Sequence, residues 1–138
     1  GGRVVITASA AGLVHAPHMG AYNATKAAAV ALAETLDAEL RPRGISASVI
    51  CPLFFRSGLA DSLSGDDPKA DEAARMLLSK TPLTSEKVAA RSVRAIQARR
   101  LVITPDALST ATWYSKRFTR VPFLAGTRLI GRVVERRG

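Results

Sequence analysis

Cysteine is almost missing from this sequence: Cys51 is the only one in 138 residues. A lone thiol excludes an internal disulfide, and a reducing cytoplasm is the simplest setting for such a chain. Histidine is nearly as scarce. His15 and His18 stand three apart in a loop with Pro17 and Gly20, with no Cys or carboxylate beside them. Zinc sites draw on about four ligands, so the pair predicts no metal, and both imidazoles read as rim residues of whatever pocket the loop borders. No stretch approaches the ~20 apolar residues of a membrane span. The sequence opens directly on a strand-like run, Arg3 to Thr7, and predicts no secretory leader. Its first residue is Gly1 and not Met, which predicts that the sequence starts inside a longer reading frame.

What is present describes a globular chain. Hydrophobic residues make up 47% and charged residues 22%, enough apolar content for one compact domain and too short a chain for two. The net charge of +9 is uneven. From Trp113 to Gly138 there are seven positive residues, Lys116, Arg117, Arg120, Arg128, Arg132, Arg136 and Arg137, against the single negative Glu135. Basicity therefore belongs to the tail.

The β-branched run Arg3 to Ala8 has the pattern of a strand buried on both faces of a parallel sheet. An alanine-rich segment from about Ala21 to Leu40 follows, with Leu32, Leu36 and Leu40 four apart and Glu34 and Asp37 opposite. It predicts a long amphipathic helix ended by Pro42 and Gly44. Ile45 to Cys51 reads as a second strand, ended by Pro52. Strand, helix and strand in this order predict a right-handed βαβ unit. Further on, the pattern predicts a short helix around Asp71 to Leu78, a helix from Ser85 to Arg99, a strand from Leu101 to Thr104, and a helical tail from Ala107 interrupted near Pro122. The fold class is α/β.

Ser9 falls at the carboxyl end of the first strand, with Tyr22 and Lys26 in the first turns of the next helix. Residues four apart share a helix face, so phenol and ammonium can be neighbours. In open α/β sheets, ligands bind beyond the carboxyl ends of the strands. A hydroxyl, a phenol and an ammonium gathered there suit proton transfer coupled to hydride transfer at a carbonyl. A tyrosine ordinarily titrates near ~10, and a nearby cation favours its phenolate. Tyr22 would exchange a proton with the substrate oxygen, and Ser9 would hydrogen-bond that oxygen where negative charge develops. The plainer readings stay beside these: a Tyr-x-x-x-Lys pair arises by chance in many helices, and Ser9 could simply cap a turn.

Three segments in succession, Thr7-Ala8-Ser9-Ala10-Ala11-Gly12, Ala21-Tyr22-Asn23-Ala24-Thr25-Lys26-Ala27-Ala28 and Cys51-Pro52-Leu53-Phe54-Phe55-Arg56-Ser57, resemble signatures of the short-chain dehydrogenase/reductase family. The thirteen-residue step from Ser9 to Tyr22 is that of its compact, non-extended members. The resemblance covers about Gly2 to Thr104, the C-terminal half of such a protein. It implies the end portion of a Rossmann-like, doubly wound parallel sheet, three strands with flanking helices, followed by a basic helical tail. It divides the chain into a catalytic part at 1–105, with a substrate loop at about 53–80, and an extension at 106–138. It implies a catalytic set of Ser9, Tyr22 and Lys26, with Lys26 also hydrogen-bonding the nicotinamide ribose. Pro52, Leu53, Phe55 and Ser57 would join Tyr22 and Lys26 in holding NAD or NADP, the choice between the two not being readable. Where the family has Pro-Gly, this chain has Pro52-Leu53, which questions a turn needing positive φ. No Gly-x-x-x-Gly-x-Gly turn for the pyrophosphate occurs.

The apolar loop with Phe54, Phe55, Leu59, Met76, Leu77 and Leu78 suggests a hydrophobic carbonyl or alcohol substrate, against the alternative that these side chains only pack on the core. The family implies a homo-oligomer through the Tyr22–Leu40 helix, and the small Ala27, Ala28, Ala31 and Ala33 allow close helix packing. The tail reads first as an extension packed on its own domain or a partner subunit. A weak contact with anionic membrane surface is the second reading, and nothing predicts a nucleic-acid partner. The alternative to an oxidoreductase is a non-catalytic fragment serving only as a dimerisation or binding module.

Overall fold

The computed structural model describes residues 1–56, residue 76 and residues 81–135. The helix expected at Asp71 to Leu78, the residues Leu59, Leu77 and Leu78, the cofactor candidate Ser57, and the arginines 136 and 137 lie outside the described residues.

Three parallel strands form the sheet: β1 (Arg3–Thr7), β2 (Ser46–Ile50) and β3 (Val102–Ile103), in the order β1-β2-β3. The register sets Arg3 opposite Ser46 and Thr7 opposite Ile50, and Val49 opposite Val102. The helices are α1 (Gly20–Leu40), α2 (Ser85–Gln97), α3 (Ala107–Phe118) and α4 (Arg120–Glu135). The central strand β2 is buried from Ser46 to Val49, as a strand covered on both faces should be. β1 departs from the expectation of burial on both faces. Among the described residues it pairs on one side only, so Val5 is 42% exposed while Val4 and Ile6 are half-buried.

α1 also turns a different face inward from the one expected. Leu32 is 52% exposed, and the buried positions are Asn23, Val30 and Ala33. The reason is that Ala33, having only a methyl, lets the helix lie close to the sheet, where a leucine would hold it off. Asp37, expected to face water, is tucked towards β2. Its carboxylate accepts from the Arg41 guanidinium at 2.8 Å and from the backbone N–H of Ala47 at 3.0 Å. Arg41 thereby holds the Asp37 carboxyl below its usual range, with the Ala47 amide adding to the effect. As expected, α1 stops at the Arg41–Arg43 turn and Gly44, whose φ of +75 suits glycine.

The tail is two helices, but the break falls at Thr119 and not at Pro122. Pro122 sits in the first turn of α4, where its missing N–H costs no intrahelical bond. Trp113 packs half-buried against the core of Ala8, Leu13, Val30, Ala33, Val49 and Cys51. No helix among the described residues is long and apolar enough to cross a membrane.

Candidate active site

The sheet hydrogen bonding runs past the ends of β1 and β2 and fixes the loops that follow. Ala8 N–H donates to Ile50 O, and Ala10 N–H donates to Pro52 O, both at 2.9 Å. Ser9, between them, is thus bound to the turn that opens at Pro52. It has extended backbone, and its Oγ accepts from Ala11 N–H at 3.2 Å, capping the short Ala10–Gly12 turn. Capping uses an acceptor lone pair, so the hydroxyl proton is left to donate.

Gly12 closes that turn against α1. A Cβ there would lie 2.5 Å from Lys26 O and 2.7 Å from Lys26 C, so only glycine lets the loop approach the helix turn that carries Lys26. On that helix Tyr22 is 43% exposed, and the Lys26 ammonium stands 5.5 Å from the centroid of its ring, within reach of a cation–π contact. Between them Asn23 is buried, its Nδ2 donating to Ala16 O at 2.8 Å. This bond ties the His15 loop to the first turn of α1, a role that the sequence reading missed. The buried Asn23 Oδ1 has no hydrogen-bond partner among the described residues.

Ser9 and Tyr22 line one cavity of about 810 Å³, walled largely by apolar side chains including Val14, Phe54, Phe55, Phe123 and Ile130. Leu53 and Phe55 are also in its wall. Lys26 and Pro52 are not, and Lys26 reaches the site through the Tyr22 ring. Phe123, Gly126, Thr127 and Ile130 come from α4, so the basic tail supplies one side of the cavity.

Leu53 keeps a negative φ, since His18 and Arg99 are the non-glycine residues at positive φ among those described. The turn is held another way. Leu53 N–H donates to Asp106 Oδ2 at 3.2 Å, while Asp106 also accepts from Ser109 N–H at 2.6 Å and Ser109 Oγ at 2.7 Å. Asp106 was not singled out from the sequence, although Asp ahead of an Ala-Leu-Ser run is an N-cap signal for α3. What that signal omits is its contact with Leu53.

His15 borders the cavity as expected, and its Nδ1 lies 3.2 Å from the Lys116 ammonium. Lys116 also donates to Leu13 O at 2.7 Å. Burial is the main reason both titrate below their ordinary values, and each is also lowered by neighbouring positive charge. The Cys51 thiol is pushed up to about 12 by burial, so it is no nucleophile near neutral pH. Among the described residues, no group of three or more His, Cys, Asp or Glu could hold a metal ion.

Such a site can exchange a proton with a carbonyl or hydroxyl oxygen in an apolar pocket. Comparison with known proteins gives this chemistry a context. The short chain dehydrogenase family matches residues 1–68. An uncharacterized oxidoreductase of Mycobacterium tuberculosis is 37% identical over 84 residues, which are 60% of this chain and 31% of that protein. A protein of Xanthobacter autotrophicus named inactive 2-(S)-hydroxypropyl-CoM dehydrogenase 2 is 33% identical over 108 residues, 75% of this chain and 46% of its own length. The chain thus spans less than half of either relative. The crystal structure of a short chain dehydrogenase/reductase from Burkholderia phymatum in complex with NAD superposes with a TM-score of 0.71 at 33% identity, over 83% of this chain and 46% of that one.

Proposed function

Residues 1–68 belong to the short-chain dehydrogenase/reductase family, and on that premise we propose that the chain supplies the catalytic part of an NAD- or NADP-dependent oxidoreductase interconverting a carbonyl and an alcohol. The observation that carries this is the cavity of about 810 Å³ in which Ser9 and Tyr22 meet between apolar walls.

Tyr22 gives its phenolic proton to the substrate oxygen in reduction and accepts one in oxidation. Ser9 donates its hydroxyl proton to the same oxygen and stabilises the negative charge that develops there. Lys26, whose ammonium stands 5.5 Å from the centroid of the Tyr22 ring, offers donors towards a nicotinamide ribose. The residues fit the nicotinamide end of a dinucleotide: a phenol, an ammonium and the turn at Pro52, Leu53 and Phe55, with Ser57 two residues further along the sequence. When bound, the cofactor supplies or accepts the hydride, which no side chain can do. The apolar walls exclude water and favour a hydrophobic substrate.

Residues 1–105 carry the catalytic set, and the basic extension at 106–138 adds α3 and α4, the latter walling the cavity. A homo-oligomer through the Tyr22–Leu40 helix fits the exposed Ala28 and Ala31, whereas Ala33, expected in the same packing, is buried against the chain's own sheet. The single, buried thiol fits a reducing cytoplasm.

Hydride transfer tests the reading. NADH or NADPH oxidation with an apolar ketone is expected from the protein expressed in its natural reading frame, and Tyr22→Phe should lower kcat at least ~100-fold. The relative named inactive favours a second reading, a binding or assembly module without catalysis. Fluorescence titration with both nucleotides separates the two, since the module binds neither.

A further inference from the structure

The cavity has one end unlike the rest. Its walls are apolar along Phe54, Phe123 and Ile130, but the wall residue His15 is backed by the Lys116 ammonium, which lies outside the wall itself. Lys116 projects from α3 one turn after the wall residue Thr112, and its ammonium rests on Leu13 O at 2.7 Å and His15 Nδ1 at 3.2 Å. Arg120, where α4 begins, is near enough to lower the titration of both Lys116 and His15. Among the described residues no carboxylate forms an ion pair with these charges. Among the described residues the ion pair is that of Asp37 with Arg41, at the opposite end of α1. A partly buried ammonium with only neutral partners keeps most of its attraction for an anion, because salt screens it less than an exposed one.

We propose that the cavity takes an amphipathic carbonyl compound or alcohol bearing a carboxylate, with the anion seated against Lys116 and Arg120 at the His15 end and the apolar body along Phe54, Phe123 and Ile130. The inference rests on the cavity being the substrate site and adds the charge of its ligand. A neutral lipid-like substrate would leave the cluster unanswered. A small hydrophilic acid would leave the apolar walls unfilled.

Displacement of the neutral dye N-phenyl-1-naphthylamine from the 138-residue chain at pH 8 tests it, with decanoate and 1-decanol as competitors of equal chain length. Decanoate is expected to displace the dye at roughly tenfold lower concentration than decanol, the scale of a hydrogen bond to a charged group. Lys116→Met should abolish that advantage while leaving dye and decanol affinities unchanged. Lys116→Arg should restore it. Unchanged dye affinity also shows that the Leu13 loop has kept its place without the lysine. Equal displacement by the two competitors, or an advantage that survives Lys116→Met, overturns the carboxylate inference and leaves the substrate cavity standing. Failure of the chain to bind the dye at all removes the cavity reading together with the inference.

Discussion

Gly12 and Asp106 shape the site without entering its chemistry. Gly12 brings the Ser9 turn against the backbone of Lys26, and Asp106 holds the amide of Leu53 from the start of α3. Gly12→Ala should therefore cost about 1–3 kcal/mol through overpacking. Because its Cβ meets backbone and not a yielding side-chain tip, the α1 turn bearing Tyr22 and Lys26 must shift. A displacement of this kind can cost ~100-fold in rate, so kcat should fall further than the denaturation midpoint alone would suggest. Both quantities measured on one preparation check this, and a variant with normal stability and normal kcat would contradict it. At this scale the sequence was informative wherever partners are close along the chain. Ser9, Tyr22 and Lys26 lie within eighteen residues and could be read together. The Asp106–Leu53 bond joins residues 53 apart, and no local pattern announces it.

The elements carry a similar lesson. α1 was legible in extent, from its alanines to Gly44, but the face it buries was not. A leucine row at four-residue spacing looks inward by hydrophobicity, yet close approach to β2 favours the small Ala33 and the ion-paired Asp37. In the same way Pro122 was legible as a helix irregularity, although a proline in the first turn is compatible with the helix and the break precedes it. The loop between β1 and α1 carries a pH dependence. Burial, then the charge of Lys116, holds His15 below its ordinary value; the backbone of Gly12 pulls the other way, and Arg120 adds the least. A folded value below the unfolded one near ~6.5 means that the unfolded chain takes up a proton first on acidification. The stability from neutral His15 is present above about pH 6.5 and is lost as the pH falls through the folded value. Thermal unfolding between pH 8 and pH 5 should thus show a decline of a few degrees that His15→Gln flattens. An equal decline in that variant would assign it to other groups.

Over the whole molecule, the order β1-β2-β3 leaves β1 at one edge among the described residues, with Val5 exposed. An edge of this kind offers unpaired N–H and C=O groups and apolar surface to a second chain. The 138-residue chain is expected to self-associate, and Val5→Lys should reduce its mass by light scattering. A monomeric mass for the unchanged chain would count against this. The sheet class and the order of elements were readable from periodicity, because strand, helix and strand alternate with clear breaks. Not readable was that α4 folds back to wall the cavity beside Ser9 and Tyr22, for its apolar face looks alike whether it meets the domain, a partner or a lipid surface.

In the proposed function Tyr22 is the proton donor and acceptor in hydride transfer at a carbonyl. Nucleotide-dependent reduction of an apolar ketone, measured for the protein expressed in its natural reading frame and for its Tyr22→Phe variant at equal stability, tests this most directly. Turnover with NADH or NADPH is expected, falling at least ~100-fold in the variant. Turnover that survives the loss of the phenol, or none with either nucleotide in the unaltered protein, would contradict it.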